Sequence, residues 1–112
     1  MSIEIAPEEY RVRNINWDAA RLFCFSLNID GKIGWRLPTV DELTGKRHEF
    51  DLDFDDPSVW VWTIECTSDD DATIVDLTDF EKLMFDKTDD DDVWVYPVRN
   101  VCTLKLHQNQ QR

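Results

Sequence analysis

The chain has 112 residues, of which 42% are apolar, and its formal net charge is −12. This length fits one domain, predicted over residues 1–106, and excludes a second. Residues 51–92 hold sixteen acidic side chains against two lysines, a formal −14, so the acidity is concentrated in one stretch. Such a surface excludes nucleic acid and anionic membranes as direct partners, because it offers phosphate groups too few cations. With no signal-like start and no apolar run of about 18 residues, we expect a cytoplasmic protein.

The first part of the chain predicts short strands followed by a helix. Residues 3–15 alternate apolar and charged side chains, which indicates one or two edge strands. Asn16 has a side chain suited to cap a helix that extends to about residue 28, and Asp18 favours its first turn. The apolar face of this helix is predicted to comprise Ala19, Ala20, Leu22, Phe23, Cys24 and Leu27.

A second, shorter helix is predicted by the segment G-W-R-L-P-T-V-D-E. Thr39 and Glu42 have the spacing of a capping box, in which each side chain accepts a hydrogen bond from the backbone of the other residue. The helix should therefore cover residues 40–45. Trp35 and Leu37 are two positions apart in an extended stretch, so both should point into the core.

The second half of the chain predicts strands. Four β-type runs follow Val59 with short polar links between them, a pattern typical of an antiparallel meander. The links of a meander alternate between the two ends of the sheet, so residues 67–71 and 88–92 should emerge at the same end. Together with the helices this predicts an α+β fold. The polar tail, residues 107–112, is expected to be disordered.

The sequence also resembles a known family. The matching residues are the W-R-L-P-T string, Trp17, Ala20, Cys24, Leu27, Gly31, Trp62-Thr63 and Val98-Arg99. Over residues 14–101 they resemble the Lcl C-terminal domain family. The resemblance implies a C-type-lectin-like fold, with two helices packed on a twisted antiparallel sheet. This fold is distantly similar to the formylglycine-generating enzymes, which share an R-L-P-T string.

The resemblance also bears on the cysteines. Family members often tie the first helix to the last strand by a disulfide; Cys24 matches the helix position, but Asn100 occupies the strand position. A bond between Cys24 and Cys102 stays open, and free thiols are the favoured alternative. The paired C-terminal cysteines on which the formylglycine-generating enzymes depend are missing here.

No catalytic set is predicted from the residues themselves. The two histidines, His48 and His107, have no Cys or Ser neighbour in a recognisable motif. Three glycines do not form a phosphate-binding loop, and no cluster of His and Cys has the spacing of a zinc site. We therefore expect a protein that is not an enzyme and that uses no cofactor.

The acidic stretch is the candidate functional surface. Its excess of fourteen negative charges should attract a basic protein and repel acidic ones. Trp60 and Trp94 are candidate hydrophobic anchors, although core packing is the favoured role of the tryptophans. The candidate aspartates are Asp51, Asp53, Asp55, Asp56, Asp69, Asp70, Asp71, Asp89, Asp90, Asp91 and Asp92.

These features predict a non-catalytic binding module of the inhibitor or immunity type. Nuclease immunity proteins and phage inhibitors that mimic DNA have a similar charge. The alternative is a Ca²⁺-dependent, lectin-like domain that binds a carbohydrate or another surface ligand. The sequence lacks the E-P-N, Q-P-D and W-N-D strings of sugar-binding lectins and the D-x-D-x-D-G calcium loop, so no metal site is predicted.

Overall fold

The computed structural model describes residues 2–45, 59–90 and 92–101, which form an α+β fold with a mostly antiparallel sheet. The predicted fold class is confirmed at this level. The helices are α1 (Trp17–Ser26) and α2 (Val40–Gly45). The strands are β1 (Ser2–Ile5), β2 (Val12–Arg13), β3 (Trp60–Cys66), β4 (Asp71–Asp76), β5 (Lys82–Asp86), β6 (Val93–Val95) and β7 (Val98–Val101). The predicted tail and the acidic connection at residues 46–58 lie outside the described residues.

The strands form two sheets within the described part of the chain. One has five strands in the order β2-β6-β3-β4-β5, and the other pairs β1 with β7. All pairs are antiparallel except β3 and β6, which run parallel. Of the one or two strands predicted in residues 3–15, two are present, β1 and β2, joined by a short 3-10 helix at Glu8–Tyr10.

The predicted meander is right for β3, β4 and β5 and wrong beyond them. β6 crosses to the far side of β3, and β7 leaves the sheet to pair with β1. The reason lies in burial: Val93 and Val95 are buried on one face of β6, while Trp94 packs on the other. A strand that is apolar on both faces needs neighbours on both sides, and the mostly exposed β5 cannot cover it.

The core consists of two clusters on opposite faces of the five-stranded sheet. The first cluster lies under α1 and contains Trp35, Leu37 and Trp62. The second lies under α2 and contains Leu43 and Val61. Consecutive residues of β3 therefore pack in different clusters, because side chains alternate between the two faces of a strand.

Helix α1 begins and ends where its local signals predict. The Asn16 side chain accepts a hydrogen bond from the Ala19 N–H at 2.9 Å, and the helix ends at Ser26. The predicted burial of Leu22 is wrong, because 65% of its side chain is exposed. The buried stripe of α1 runs through Trp17, Ala20 and Cys24, and Leu22 lies midway between the last two, on the far side of the helix.

The capping box is confirmed at the start of α2. The Glu42 N–H donates to Thr39 Oγ1 at 3.1 Å, and the Thr39 N–H donates to Glu42 Oε1 at 2.9 Å. The Glu42 carboxylate also accepts two hydrogen bonds from the Arg36 guanidinium, at 2.9 and 2.8 Å. Arg36 lies on the face opposite Trp35 and Leu37, which are both buried as predicted.

Replacing Trp35 tests its place in the core. The indole is buried, and its N–H donates to the Lys32 carbonyl at 3.0 Å. Trp35→Ala should lower the free energy of unfolding by about 3–5 kcal/mol, because it removes packing and leaves a cavity. Phe25→Ala is the matched control, since 78% of that ring is exposed and its loss should cost less than about 0.5 kcal/mol. Urea unfolding measures both. A loss below about 1 kcal/mol for Trp35→Ala would contradict its burial.

The pH dependence of Glu42 tests the ion pair. Hydrogen bonds from Arg36 lower the pKa of Glu42 below its ordinary value of 4.5, against a smaller opposing effect of burial. A lowered folded pKa gives stability that is complete above the unfolded value and is lost as pH falls through the folded value. Glu42→Gln keeps a capping oxygen but loses the charge, at a cost of about 1–2 kcal/mol near pH 7. We expect this difference in urea unfolding to shrink below pH 4.5. A constant difference would show that the charge is irrelevant.

Candidate functional site

The aspartates of the two links lie on the surface. Asp69, Asp70 and Asp90 are exposed, and Asp71 and Asp89 are half-buried. Asp92 is exposed as well, at the entry to β6. Five other candidates lie outside the described residues: Asp51, Asp53, Asp55, Asp56 and Asp91.

Pairing of β4 with β5 brings the two links together at one end of the sheet. Asp71 lies directly opposite Asp86 in the register of these strands. One position further, the Lys87 N–H donates to the Asp70 carbonyl at 2.8 Å. We define the acidic rim as the side chains of Asp69, Asp70, Asp71, Asp86 and Asp89 at this end, together with Asp90, the next acid in the chain.

The hydrogen-bond pattern shows that Asp71 and Asp86 are close neighbours. Hydrogen-bonded and non-hydrogen-bonded pairs alternate along an antiparallel ladder. Because Lys87 and Asp70 form a hydrogen-bonded pair, Asp71 and Asp86 form a non-hydrogen-bonded one. In such pairs the Cα atoms are only about 4.5 Å apart, and the side chains project on the same face. The Asp71 and Asp86 side chains therefore start from neighbouring backbone positions on one face of the sheet.

The link that follows β5 does not stay at this end. It begins beside the β3–β4 link but crosses over to β6, where Val93 lies next to Trp60 at the start of β3. The Asp92 N–H donates to the Asn14 side chain at 2.9 Å, directly after β2. The prediction that residues 88–92 all project from one end through a meander is wrong, because the connection is a crossover.

The Asp86 carboxylate of the rim accepts two hydrogen bonds from Thr88. The backbone N–H of Thr88, and then its hydroxyl, lower the pKa of Asp86 by donating to the carboxylate at 2.8 and 2.7 Å. No ion pair within the described ranges involves Asp70, Asp71 or Asp86. The Lys87 ammonium lies over the Trp17 ring, 4.5 Å from its centroid.

The two candidate tryptophan anchors lie apart from the rim and from each other. Trp60 pairs with Asp76, at the opposite end of the β3–β4 hairpin from Asp71, and packs on the first cluster. Trp94 packs on the second cluster, on the other face of the sheet. The Arg13 guanidinium covers its ring at 5.0 Å from the centroid. Both side chains are half-buried, which is the packing role favoured above.

A groove of about 350 Å³ between α1, residues 35–37 and Ile64 of β3 was not predicted. Its apolar wall includes Leu22 and Phe25, two of the most exposed large apolar side chains of the described chain. The signal was present in the sequence, since these residues are three apart and form a second apolar stripe on α1. The groove is lined by Arg21, Leu22, Phe25, Trp35, Arg36, Leu37 and Ile64.

The groove and the rim are joined by one aromatic ring. Arg21, on the groove, lies over Trp17 at 4.6 Å from the ring centroid. Lys87, beside Asp70, contacts the same ring. The surface therefore changes from apolar at the groove to cationic at Arg21 and Lys87, and then to acidic at the rim.

The described part of the chain contains neither a metal-ligand cluster nor a membrane-spanning helix. No group of three or more His, Cys, Asp or Glu side chains there is arranged to hold a metal ion. No helix there is long and apolar enough to cross a membrane. Of the cysteines, Cys24 and Cys66 are free, and burial raises the pKa of Cys24 to about 12. Cys102 lies outside the described residues.

Comparison with known proteins adds no identification. No protein-family model and no curated protein matches this chain.

Neutralising one member of the close carboxylate pair should stabilise the fold. Asp71→Asn removes the repulsion with Asp86, which should raise the free energy of unfolding by about 0.2–1 kcal/mol at low salt. Adding NaCl should shrink the gain, because salt screens the same repulsion. Asp18→Asn makes the same charge change at the first turn of α1, where the acid favours the helix dipole, so it should be neutral or destabilising. Equal gains from both variants in thermal unfolding would mean that only net charge matters.

Proposed function

We propose that this protein is a non-catalytic binding module, of the inhibitor or immunity type, that engages a basic protein through the acidic rim. The observation that carries the proposal is the Asp71–Asp86 pair. Like charges directly opposite on a sheet reduce stability, and this pair adds nothing to either core cluster. A cationic partner that supplies the missing countercharge would account for an arrangement that folding alone disfavours.

The charge distribution supports a partner with a dense cationic surface. The rim places Asp69, Asp70 and Asp71 on one link, next to Asp86 at the end of β5. Surfaces that bind nucleic acid carry cations arranged to contact closely spaced anions. A protein that normally binds nucleic acid is therefore the class of partner that the rim suits best. Its approach would be accelerated by electrostatic attraction, and direct binding of nucleic acid to the rim itself would be repelled.

The C-type-lectin-like fold is part of this proposal. The W-R-L-P-T segment, its capping box and the two-sided core form a rigid support for the links. Loops on such a support can vary without loss of the core, which suits recognition. Cys24 is a poor candidate for a nucleophile, because burial raises its pKa to about 12 and keeps the thiol protonated.

The test compares two variants of equal net charge. The rim variant carries Asp69→Asn, Asp70→Asn, Asp71→Asn and Asp90→Asn. The control variant carries Glu8→Gln, Glu9→Gln, Asp18→Asn and Asp30→Asn, all at exposed positions away from the rim. A partner is captured on the wild-type protein from its native lysate, purified, and its association rate with each variant is measured. We expect the rim variant to associate at least about tenfold more slowly at low salt, and the control much less so.

Salt and calcium separate this function from its alternative. Binding through the rim should weaken as NaCl rises and should not change with a calcium chelator. Equal association of both variants would contradict the proposal. Binding that survives high salt, is competed by a sugar and is lost on chelation would instead identify a Ca²⁺-dependent lectin.

A further inference from the structure

Strand β5 is an exposed edge of the five-stranded sheet. Among residues 2–45, 59–90 and 92–101 no strand pairs with its outer side. Four of its five residues are exposed, and Leu83 and Met84 expose 43% and 53% of their side chains on opposite faces. An edge with apolar side chains and unpaired backbone groups is a template for another strand. The question is which strand it accepts.

The ladder with β4 shows which backbone groups of β5 remain available. The Asp70 carbonyl accepts from the Lys87 N–H at 2.8 Å. The Glu81 carbonyl accepts from the Asp76 N–H at 2.8 Å. Because bonded pairs alternate along the ladder, the residues that face β4 are Glu81, Leu83, Phe85 and Lys87. The backbone N–H groups that point away from the sheet belong to Lys82, Met84 and Asp86.

We propose that β5 pairs with β5 of a second copy of this chain, as an antiparallel ribbon centred on Met84. In this register Met84 forms a hydrogen-bonded pair with the partner's Met84. Lys82 forms one with the partner's Asp86, whose carbonyl already accepts from the Asp89 N–H at 3.0 Å and would accept the second bond through its other lone pair. Leu83 then packs against the partner's Phe85 on the face that carries α1.

The charges of the strand select this orientation and register. The segment K-L-M-F-D has a cation at one end, an anion at the other and three apolar residues between. Antiparallel pairing about its centre places each Lys82 opposite an Asp86, on the same face. Parallel pairing would place like charges together. A shift by two residues would place Met84 opposite a charge and leave both ion pairs unmade.

The dimer should be weak. A ribbon of five residues is only roughly 17 Å long. It therefore buries less surface than the roughly 1,600 Å² of a typical stable interface. The formal charge of −12 on each copy opposes association at long range. Dimerisation should therefore depend on protein concentration and be favoured by moderate salt, which screens the general repulsion more than the contact pairs.

The oligomeric state of the purified chain tests the proposal. Sedimentation equilibrium over a concentration series, at about 0.15 M salt, should show the wild-type protein shifting from monomer to dimer. Met84→Pro should remain monomeric, because it removes an outward N–H that β4 does not use. Lys82→Glu should weaken the dimer about tenfold or more, since it places two like-charged pairs across the ribbon.

Exchanging the charges of Lys82 and Asp86 distinguishes the ribbon from other causes of dimerisation. Adding Asp86→Lys to Lys82→Glu restores opposite charges across the ribbon and should restore the dimer. Lys32→Glu, on the turn that contacts Glu4, makes the same charge change away from β5 and should leave the dimer intact. Cooperative thermal unfolding of each variant shows that a lost dimer is not a lost fold. A wild-type protein that stays monomeric at all concentrations, or a double exchange that stays monomeric, would overturn the proposal.

Discussion

The ion pair between Arg36 and Glu42 is the contact on which the arrangement of the fold depends. Glu42 closes the capping box of α2 and also holds the guanidinium in two hydrogen bonds. The backbone of Arg36 exchanges hydrogen bonds with Val98 of β7, at 2.7 and 2.9 Å. Because the flanking Trp35 and Leu37 are buried in the first cluster, one short segment joins α2, the two-stranded sheet and the core. Loss of the pair would loosen all three together.

At the acidic rim, Asp71 and Asp86 do not form such a complementary contact with each other. The core clusters and the ion pair place each charge or apolar group against a complementary one, whereas Asp71 and Asp86 are placed against each other. A fold can retain such a pair because hydrogen bonds along the β4–β5 ladder exceed the local repulsion. Natural sequences are largely consistent between local and global preferences, so conflicts of this kind concentrate where something other than stability is selected.

Features determined by neighbouring residues could be predicted from the sequence. The Asn16 cap, the capping box of Thr39 and the shared face of Trp35 and Leu37 each depend on a few consecutive positions, and each is present. The position of β6 could not be predicted in this way. Its apolar run indicates a strand, but the choice of β3 rather than β5 as neighbour depends on burial across the sheet. The predicted meander placed Asp92 at the rim, whereas the crossover places it at the start of β6. No local signal indicated that Asp86 belongs to the rim.

Strand β5 connects the two surfaces proposed here, because Asp86 belongs to both. In the ribbon, Asp86 faces the partner's Lys82 and gains a countercharge. In the complex with a basic protein, the same carboxylate would face a cation of that protein. One carboxylate cannot satisfy both at full strength, so each association weakens the other, and by linkage the two effects are equal in free energy. Self-association through β5 would thus occupy Asp86 at high protein concentration and weaken binding of the basic partner. A strongly basic partner would in turn dissociate the ribbon as it binds.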